Sequence, residues 1–333
     1  MSNWTPGTLL KLSGSYWQAC TLHAAVKLDL ITQMGSEPIQ GSVLAKTLSL
    51  DSQGLVTLLN ALAAMDLVDK TGHSYAATPA AQNFLSKDSE SYIGYMILHH
   101  HHLAESWVNM DQAVSQGRPI RHAALSQDPE VRESFLMGMF NIAMATAPDI
   151  AQILDLSHCT RLLDLGGGPG TYAIHFCLAH PGLKAVVFDQ PTTRPFAEKT
   201  IARFNLQGQV SFVPGDYTRG PLTLGQTFDA AWLSHILHGQ GPDMAEQVIE
   251  KALKAVHPGG SIFIHEFILD DTCDSPLFPA LFSMNMFLAT QKGQSYSQED
   301  LFGMLERQGV RDICRLDFSG PTQSGIIWGK KKK

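Results

Sequence analysis

The stretch Leu162-Leu163-Asp164-Leu165-Gly166-Gly167-Gly168-Pro169-Gly170-Thr171 decides the fold. A short apolar run ends in an acid, three ordered glycines follow, and a helical pattern begins at once. Glycines here let the backbone turn tightly and let a ligand approach where a Cβ would collide. The spacing Gly166, Gly168, Gly170 is GxGxG, whereas the dinucleotide pattern requires glycine at position 171, which is Thr171. A nicotinamide oxidoreductase is therefore disfavoured.

On both sides of this loop short β-rich runs alternate with helical stretches: Arg161 to Leu165, Ala185 to Phe188, Val210 to Val213, Ala230 to Leu233 and Ser261 to His265. This rhythm predicts an α/β fold, a doubly wound, mostly parallel sheet of the Rossmann-like kind. Two late runs, Cys314 to Phe318 and Gly325 to Gly329, are joined through Gly320 and Pro321 by too short a link for a crossover helix. They are expected to pair antiparallel at one edge. Acids stand at three successive strand ends: Asp164, Asp189 and Asp216. Open α/β sheets bind ligands at that edge. S-adenosylmethionine carries no pyrophosphate, so a glycine loop need only pass under its amino-acid and ribose portions. Asp164 is placed to accept from its ammonium group, Asp189 from the ribose hydroxyls, and Asp216 from the adenine amino group.

The region before the loop is helical. Val43 to Leu48, the Asp51-Ser52 cap, a helix over Gly54 to Met65 and a hairpin over residues 67–75 outline a winged helix. Longer helices are predicted over Tyr92 to Gln116 and Glu130 to Leu154. The expected domains are a winged-helix-like dimerisation region over 1–90, linking helices over 91–155, and a cofactor-binding catalytic domain over 156–333.

Composition narrows the partners. The chain has 333 residues, 44% hydrophobic and 17% charged, with a formal net charge of -7. That describes a globular protein with no general affinity for nucleic acid. A winged-helix transcription regulator is disfavoured on the same ground: residues 1 to 100 hold five Lys and no Arg against seven acids, and Gly54 to Met65 contains no cation. The five scattered cysteines form no CxxC pair, which suits reduced thiols in a cytoplasm. The first thirty residues lack a basic segment followed by an apolar core and a cleavage site, and no apolar run reaches membrane-spanning length, so an untargeted protein with no membrane partner is expected. The run His99 to His102 lies in a predicted helix, where four ligands cannot converge at about 100° per residue. No metal is expected from it. The Lys330 to Lys333 run reads as a solvated tail.

Taken together, the DLGGGPG loop, Phe188-Asp189-Gln190-Pro191, Gly215-Asp216-Tyr217, Ser234-His235-Ile236-Leu237-His238 and Val256-His257-Pro258-Gly259-Gly260 resemble the plant-type small-molecule O-methyltransferases and their bacterial relatives. The resemblance covers nearly the whole chain. It implies an S-adenosylmethionine-dependent enzyme that releases S-adenosylhomocysteine and methylates a hydroxyl, in particular a phenolic one, of a small-molecule acceptor. It also implies a homodimer formed through the N-terminal helices. The cofactor residues it implies are Asp164, Gly166, Gly168, Gly170, Asp189, Gln190, Gly215, Asp216, Tyr217, Ser234 and His235. His238 occupies the position of the family's general base. A phenol with a pKa near 10 needs such a base, and an imidazole near 6.5 within about 3 Å can take its proton. The acceptor is expected near Trp107, Met139, Asn141, Met144, Asn285 and Met286. Two positions depart from the family: Gly239-Gln240 replaces Asp-Trp after the base, and Gln294 stands where an orienting acid is expected. Glu266, ending the fifth strand, can supply a carboxylate instead. The departures leave open a family member that methylates nitrogen, carbon or sulfur, or that hydroxylates, decarboxylates or cyclises.

Overall fold

The structure, a computed structural model, describes residues 4–120 and 128–333. It divides into two units, Met1–Ala104 with Pro129–Asn141, and Glu105–Asp128 with Ile142–Lys333.

The first unit begins with α1 (Pro6–Ser13), α2 (Tyr16–Lys27) and α3 (Leu30–Met34). The strand β1 (Ile39–Gln40) then leads into α4 (Gly41–Thr47) and α5 (Ser52–Ala64), followed by the hairpin β2 (Val68–Thr71) and β3 (Ser74–Ala77) and by α6 (Pro79–Leu85). Asp51 caps α5 by accepting from the Gly54 N–H at 2.7 Å. Leu55, Leu59 and Leu62, spaced four and three apart, bury one face of that helix. The hairpin turns at Gly72, whose φ is +62°. With β1 on the far side of β3, the helix-turn-helix and three-stranded wing of a winged helix are complete. The helix α1, which the sequence pattern did not suggest, buries none of its residues. Leu10 and Trp17 are 73% and 67% exposed.

The longer helices are broken where single helices were expected. Over Tyr92 to Gln116 the chain forms α7 (Gly94–Val108) and α8 (Met110–Gln116), separated at Asn109. Over Glu130 to Leu154 it forms α9 (Pro129–Met144) and α10 (Ala147–Ile153). Pro148, in the first turn of α10, has no N–H to continue the earlier helix and fits a fresh start.

The second unit carries β4 (Arg161–Leu165), α11 (Thr171–Ala179), β5 (Lys184–Asp189), α12 (Arg194–Arg203), β6 (Val210–Pro214), β7 (Phe228–Ser234), α13 (Pro242–Ala255), β8 (Val256–Glu266), α14 (Leu277–Ala289), α15 (Gln298–Arg307), β9 (Val310–Arg315) and β10 (Gly325–Lys331). Its seven strands lie in the order β6-β5-β4-β7-β8-β10-β9. The first five are parallel, and β10 is antiparallel to both neighbours. The penultimate strand, expected over 314–318, starts earlier because Gly309, at φ +74°, ends α15 and releases the chain into Val310. Strand alternation sends Leu163 and Leu165 into one apolar layer and Leu162 into the other. On the first face α13 presents Ala245, Val248, Ile249, Ala252 and Leu253. Fully burying a Leu or Ile of this kind stabilises the fold by about 1.5–3 kcal/mol. Among the described residues no helix is long and apolar enough to cross a membrane.

Candidate active site

Every strand from β4 to β8 ends at one edge of the sheet, and the chemistry-bearing residues gather there. Alternation along β4 puts Asp164 on the Leu162 face, beneath the first turn of α11. Asp164 is fully buried, and neither carboxylate oxygen has a hydrogen-bond partner of normal geometry. Burial, reinforced by the charge of Asp189, raises its pKa to about 7, against a smaller pull from the Ala173 N–H. The glycine loop folds over this acid: a Cβ on Gly167 would sit 2.5 Å from the Asp164 carboxyl carbon. Gly166, at φ +68°, could not carry a side chain either, because its Cβ would lie 2.6 Å from Ile236 Cγ2. At Gly168, by contrast, a Cβ would meet open space.

Asp189, ending β5, closes the other side of the loop. Its Oδ2 accepts from the Gly168 N–H at 2.8 Å, and its Oδ1 from the Gln190 N–H at 2.6 Å and the Thr193 hydroxyl at 3.2 Å. Burial still raises its pKa above the usual carboxylate value. Asp216 is engaged differently. Its Oδ1 accepts from the Thr218 N–H and hydroxyl at 2.9 and 2.6 Å, and Arg219 stands 3.4 Å from Oδ2. Burial tends to raise its pKa, but these partners outweigh it and hold the group below the ordinary value. The Tyr217 ring lies near the Gly166 backbone, and the Gly215 N–H donates to the Asp189 carbonyl at 2.8 Å. Gln190 is exposed, and Gly170 starts α11 at φ +81°.

At the ends of β7 and β8 a histidine-carboxylate cluster forms. His238 Nδ1 lies 2.7 Å from Glu266 Oε2, while Oε1 of the same acid accepts from the Leu237 and His238 N–H groups at 2.8 and 3.3 Å. His235, at φ +55°, brings its Nδ1 to 3.6 Å from Glu266 Oε2, just beyond hydrogen-bond reach. Burial would raise the pKa of Glu266, but His238 and then His235 overcome it and hold the acid well below the carboxylate range. Ser234 faces another way: its hydroxyl meets His265 Nδ1 at 3.0 Å, and His265 Nε2 meets the Ser324 hydroxyl at 3.0 Å. Burial drives the His265 pKa well below the ordinary imidazole value. The turn at Gln294 reaches His238 through its backbone, the Gln294 N–H donating to the His238 carbonyl at 2.9 Å.

Of the aromatic residues around His238, the resemblance points to the neighbourhood of Phe282, whereas Phe267 and Phe278 have no signal in the sequence. Phe267 stacks on His238 at 5.9 Å and 19°, Phe282 meets the same ring edge-on at 4.7 Å, and Phe278 packs on Phe267 at 5.0 Å. A Phe after a strand and two Phe on an apolar helix are indistinguishable from core by pattern alone. Among the expected acceptor residues, Trp107 Nε1 donates to Asn285 Oδ1 at 3.2 Å beside the buried Met286. Met144 Sδ lies 3.3 Å from His175 Nε2. Met139 and Asn141 belong to the first unit, where the Asn141 amide donates to the Tyr92 carbonyl at 2.7 Å.

A doubly wound sheet whose glycine loop covers a buried, unpartnered acid, with a histidine-glutamate pair at the same edge, is an arrangement that suits a cofactor-dependent group-transfer enzyme. The donor set fits S-adenosylmethionine: a bare buried carboxylate suits an ammonium, and the open space at Gly168 leaves room beside Asp189. The O-methyltransferase domain family matches residues 101–311, and the O-methyltransferase dimerisation domain matches residues 10–87. The chain belongs to the O-methyltransferase family and is an S-adenosylmethionine-dependent O-methyltransferase. It is similar to the tetracenomycin polyketide synthesis 8-O-methyl transferase of Streptomyces glaucescens, at 29% identity over 98% of this chain and 97% of that one. An N,N-dimethyltransferase of Streptomyces rimosus is 27% identical over 93% of this chain and 92% of that one. Among solved structures, an O-methyltransferase family protein from Burkholderia thailandensis superposes with a TM-score of 0.89 at 25% identity, covering 100% of this chain and 99% of that one.

Proposed function

We propose that the enzyme methylates a phenolic hydroxyl on a flat aromatic acceptor, with His238 as general base and Glu266 as its positioning residue. The observation that carries this reading is the 2.7 Å contact between His238 Nδ1 and Glu266 Oε2. A carboxylate accepts, so the proton sits on Nδ1 and the lone pair on Nε2. Nε2 is then the atom that takes the phenol proton, and the resulting imidazolium is stabilised by the buried negative charge of Glu266. Bound S-adenosylmethionine supplies an electrophilic methyl on a sulfonium. Asp164 holds the ammonium end, Asp189 the ribose hydroxyls, and Asp216 and Tyr217 flank the adenine side, with the Gly166 to Gly170 backbone beneath. Phe267, Phe278 and Phe282 support an aromatic acceptor, because rings pack well against rings in offset or edge-on contact. The polyketide assignment of the Streptomyces glaucescens relative points the same way.

The dimerisation-domain match and the exposed Leu10 and Trp17 support a homodimer formed through α1 and α2. The five free cysteines support a reducing compartment such as the cytoplasm. A second reading, transfer to nitrogen, draws on the N,N-dimethyltransferase relative. The test is a screen of hydroxylated and aminated naphthalenes and anthracenes with His238→Ala and Glu266→Gln. Oxygen methylation by the wild type is expected, with His238→Ala binding S-adenosylhomocysteine normally and transferring about 10²–10⁴-fold more slowly. Equal rates in His238→Ala would remove the base.

A further inference from the structure

Two histidines and one acid converge where the proposed mechanism needs only one of each. Among the described residues, His235, His238 and Glu266 are the group whose donor atoms could together hold a metal ion, all lying within 4.8 Å of one another. His238 Nδ1 and His235 Nδ1 both face the same oxygen, Glu266 Oε2, at 2.7 and 3.6 Å. His235 Nδ1 is buried without a hydrogen-bond partner, so a ring that serves only packing leaves an unmet polar atom. The backbone holds it there in a left-handed conformation, φ +55°, fixed by the His235 N–H donating to the His265 carbonyl at 2.8 Å. Phe267 backs the ring at 4.3 Å. All three donors stand at the ends of adjacent strands, in register through Ser234 and His265.

We propose that His235, His238 and Glu266 form a binding site for a divalent transition cation of the zinc type, and that occupancy switches the enzyme off. Two imidazoles and a carboxylate are a donor set for such ions, with metal-ligand distances near 2.0–2.2 Å and donor-donor separations of about 3.3 Å in a tetrahedron. The separations of 2.7 and 3.6 Å bracket that value. The site offers three protein ligands and leaves the fourth position to water. The consequence follows from the tautomer. A metal on His238 Nδ1 takes the lone pair there, and the proton formerly on Nδ1 moves by exchange with water to Nε2. Nε2 becomes a donor and can no longer accept the phenol proton. This second half of the proposal rests on His238 as the base; the binding itself does not.

The test uses the full chain without added cofactor, titrated with cobalt(II) chloride and followed by visible absorption, and with zinc chloride followed by calorimetry. His235→Asn removes one ligand while keeping a residue that tolerates positive φ. His238→Gln is the second variant, should the first fail to fold. One tight equivalent with an intense cobalt spectrum is expected in the wild type, and at least a tenfold loss of affinity for that equivalent in either variant. Unchanged cobalt spectra and zinc affinity in both variants would overturn the site. In turnover assays with an acceptor from the screen, zinc should inhibit the wild type, chelator should restore it, and His235→Asn should need at least tenfold more zinc for the same fractional inhibition. Wild-type turnover untouched by a zinc equivalent that the variants lose would uphold the site and overturn the base assignment.

Discussion

Lowering the pH from 7 to 5 should weaken cofactor binding about fiftyfold through Asp164 alone. Its carboxylate is fully buried and unpartnered, and its pKa stands at about 7 before any ligand arrives. An ammonium needs the ionised form. The binding-competent fraction is then about one half at pH 7 and about one hundredth at pH 5, a ratio near 50 or roughly 2.3 kcal/mol. The range stops at 7 because an α-amino group itself titrates near 8. Calorimetric titration with S-adenosylhomocysteine at pH 5, 6 and 7, in buffers of differing ionisation enthalpy, reads both quantities. About 0.9 proton should be released per cofactor bound at pH 6, and Asp164→Asn should bind more weakly at pH 7 with a flat profile. The same residue makes its own pH-dependent contribution to the stability of the free enzyme. A raised folded pKa means the native state holds a proton the unfolded chain has lost, so this contribution is greatest below pH 4 and declines up to pH 7. Affinity constant from pH 5 to 7 with no proton release would refute the assignment of Asp164 to the ammonium.

Asp189→Ala should weaken S-adenosylhomocysteine binding by about 2–4 kcal/mol, from lost charge-assisted bonds and the freed Gly168 N–H; unchanged affinity by calorimetry would remove it from the site. Gly166→Ala places a Cβ 2.6 Å from Ile236 Cγ2 at φ +68° and should cost about 1–3 kcal/mol in urea denaturation. Leu10→Asp with Trp17→Asp puts charges on the exposed apolar face of the N-terminal helices and should yield a monomer by sedimentation, against the dimer expected of the wild type.

The sheet was legible because its signals are local. Leu162 to Gly170 reads as strand and turn through composition alone, and β4 spans the expected Arg161 to Leu165. Asp164, Asp189 and Asp216 gather at one edge because parallel strands end together. The breaks at Asn109 and Thr146 were not legible, since the apolar periodicity runs straight through them and only the backbone turn at each marks the stop. The pairing of His238 with Glu266 spans 28 residues and depends on β7 and β8 lying in register. The sequence offers Glu266 as a carboxylate at the right strand end, but its geometry comes from the sheet. The aromatic surround of His238 needed Phe267 and α14 to meet in space, and no spacing rule encodes that.

The strand β10 follows both of its neighbours in the chain yet lies between them. During vectorial synthesis β8 and β9 therefore emerge with open hydrogen-bonding edges that only a later segment can fill. Ser324, the hydroxyl that meets His265 Nε2, arrives with that segment. A nascent chain stalled before residue 324 thus presents a half-built sheet and an unsupported buried imidazole, a form suited to capture by chaperones or proteases.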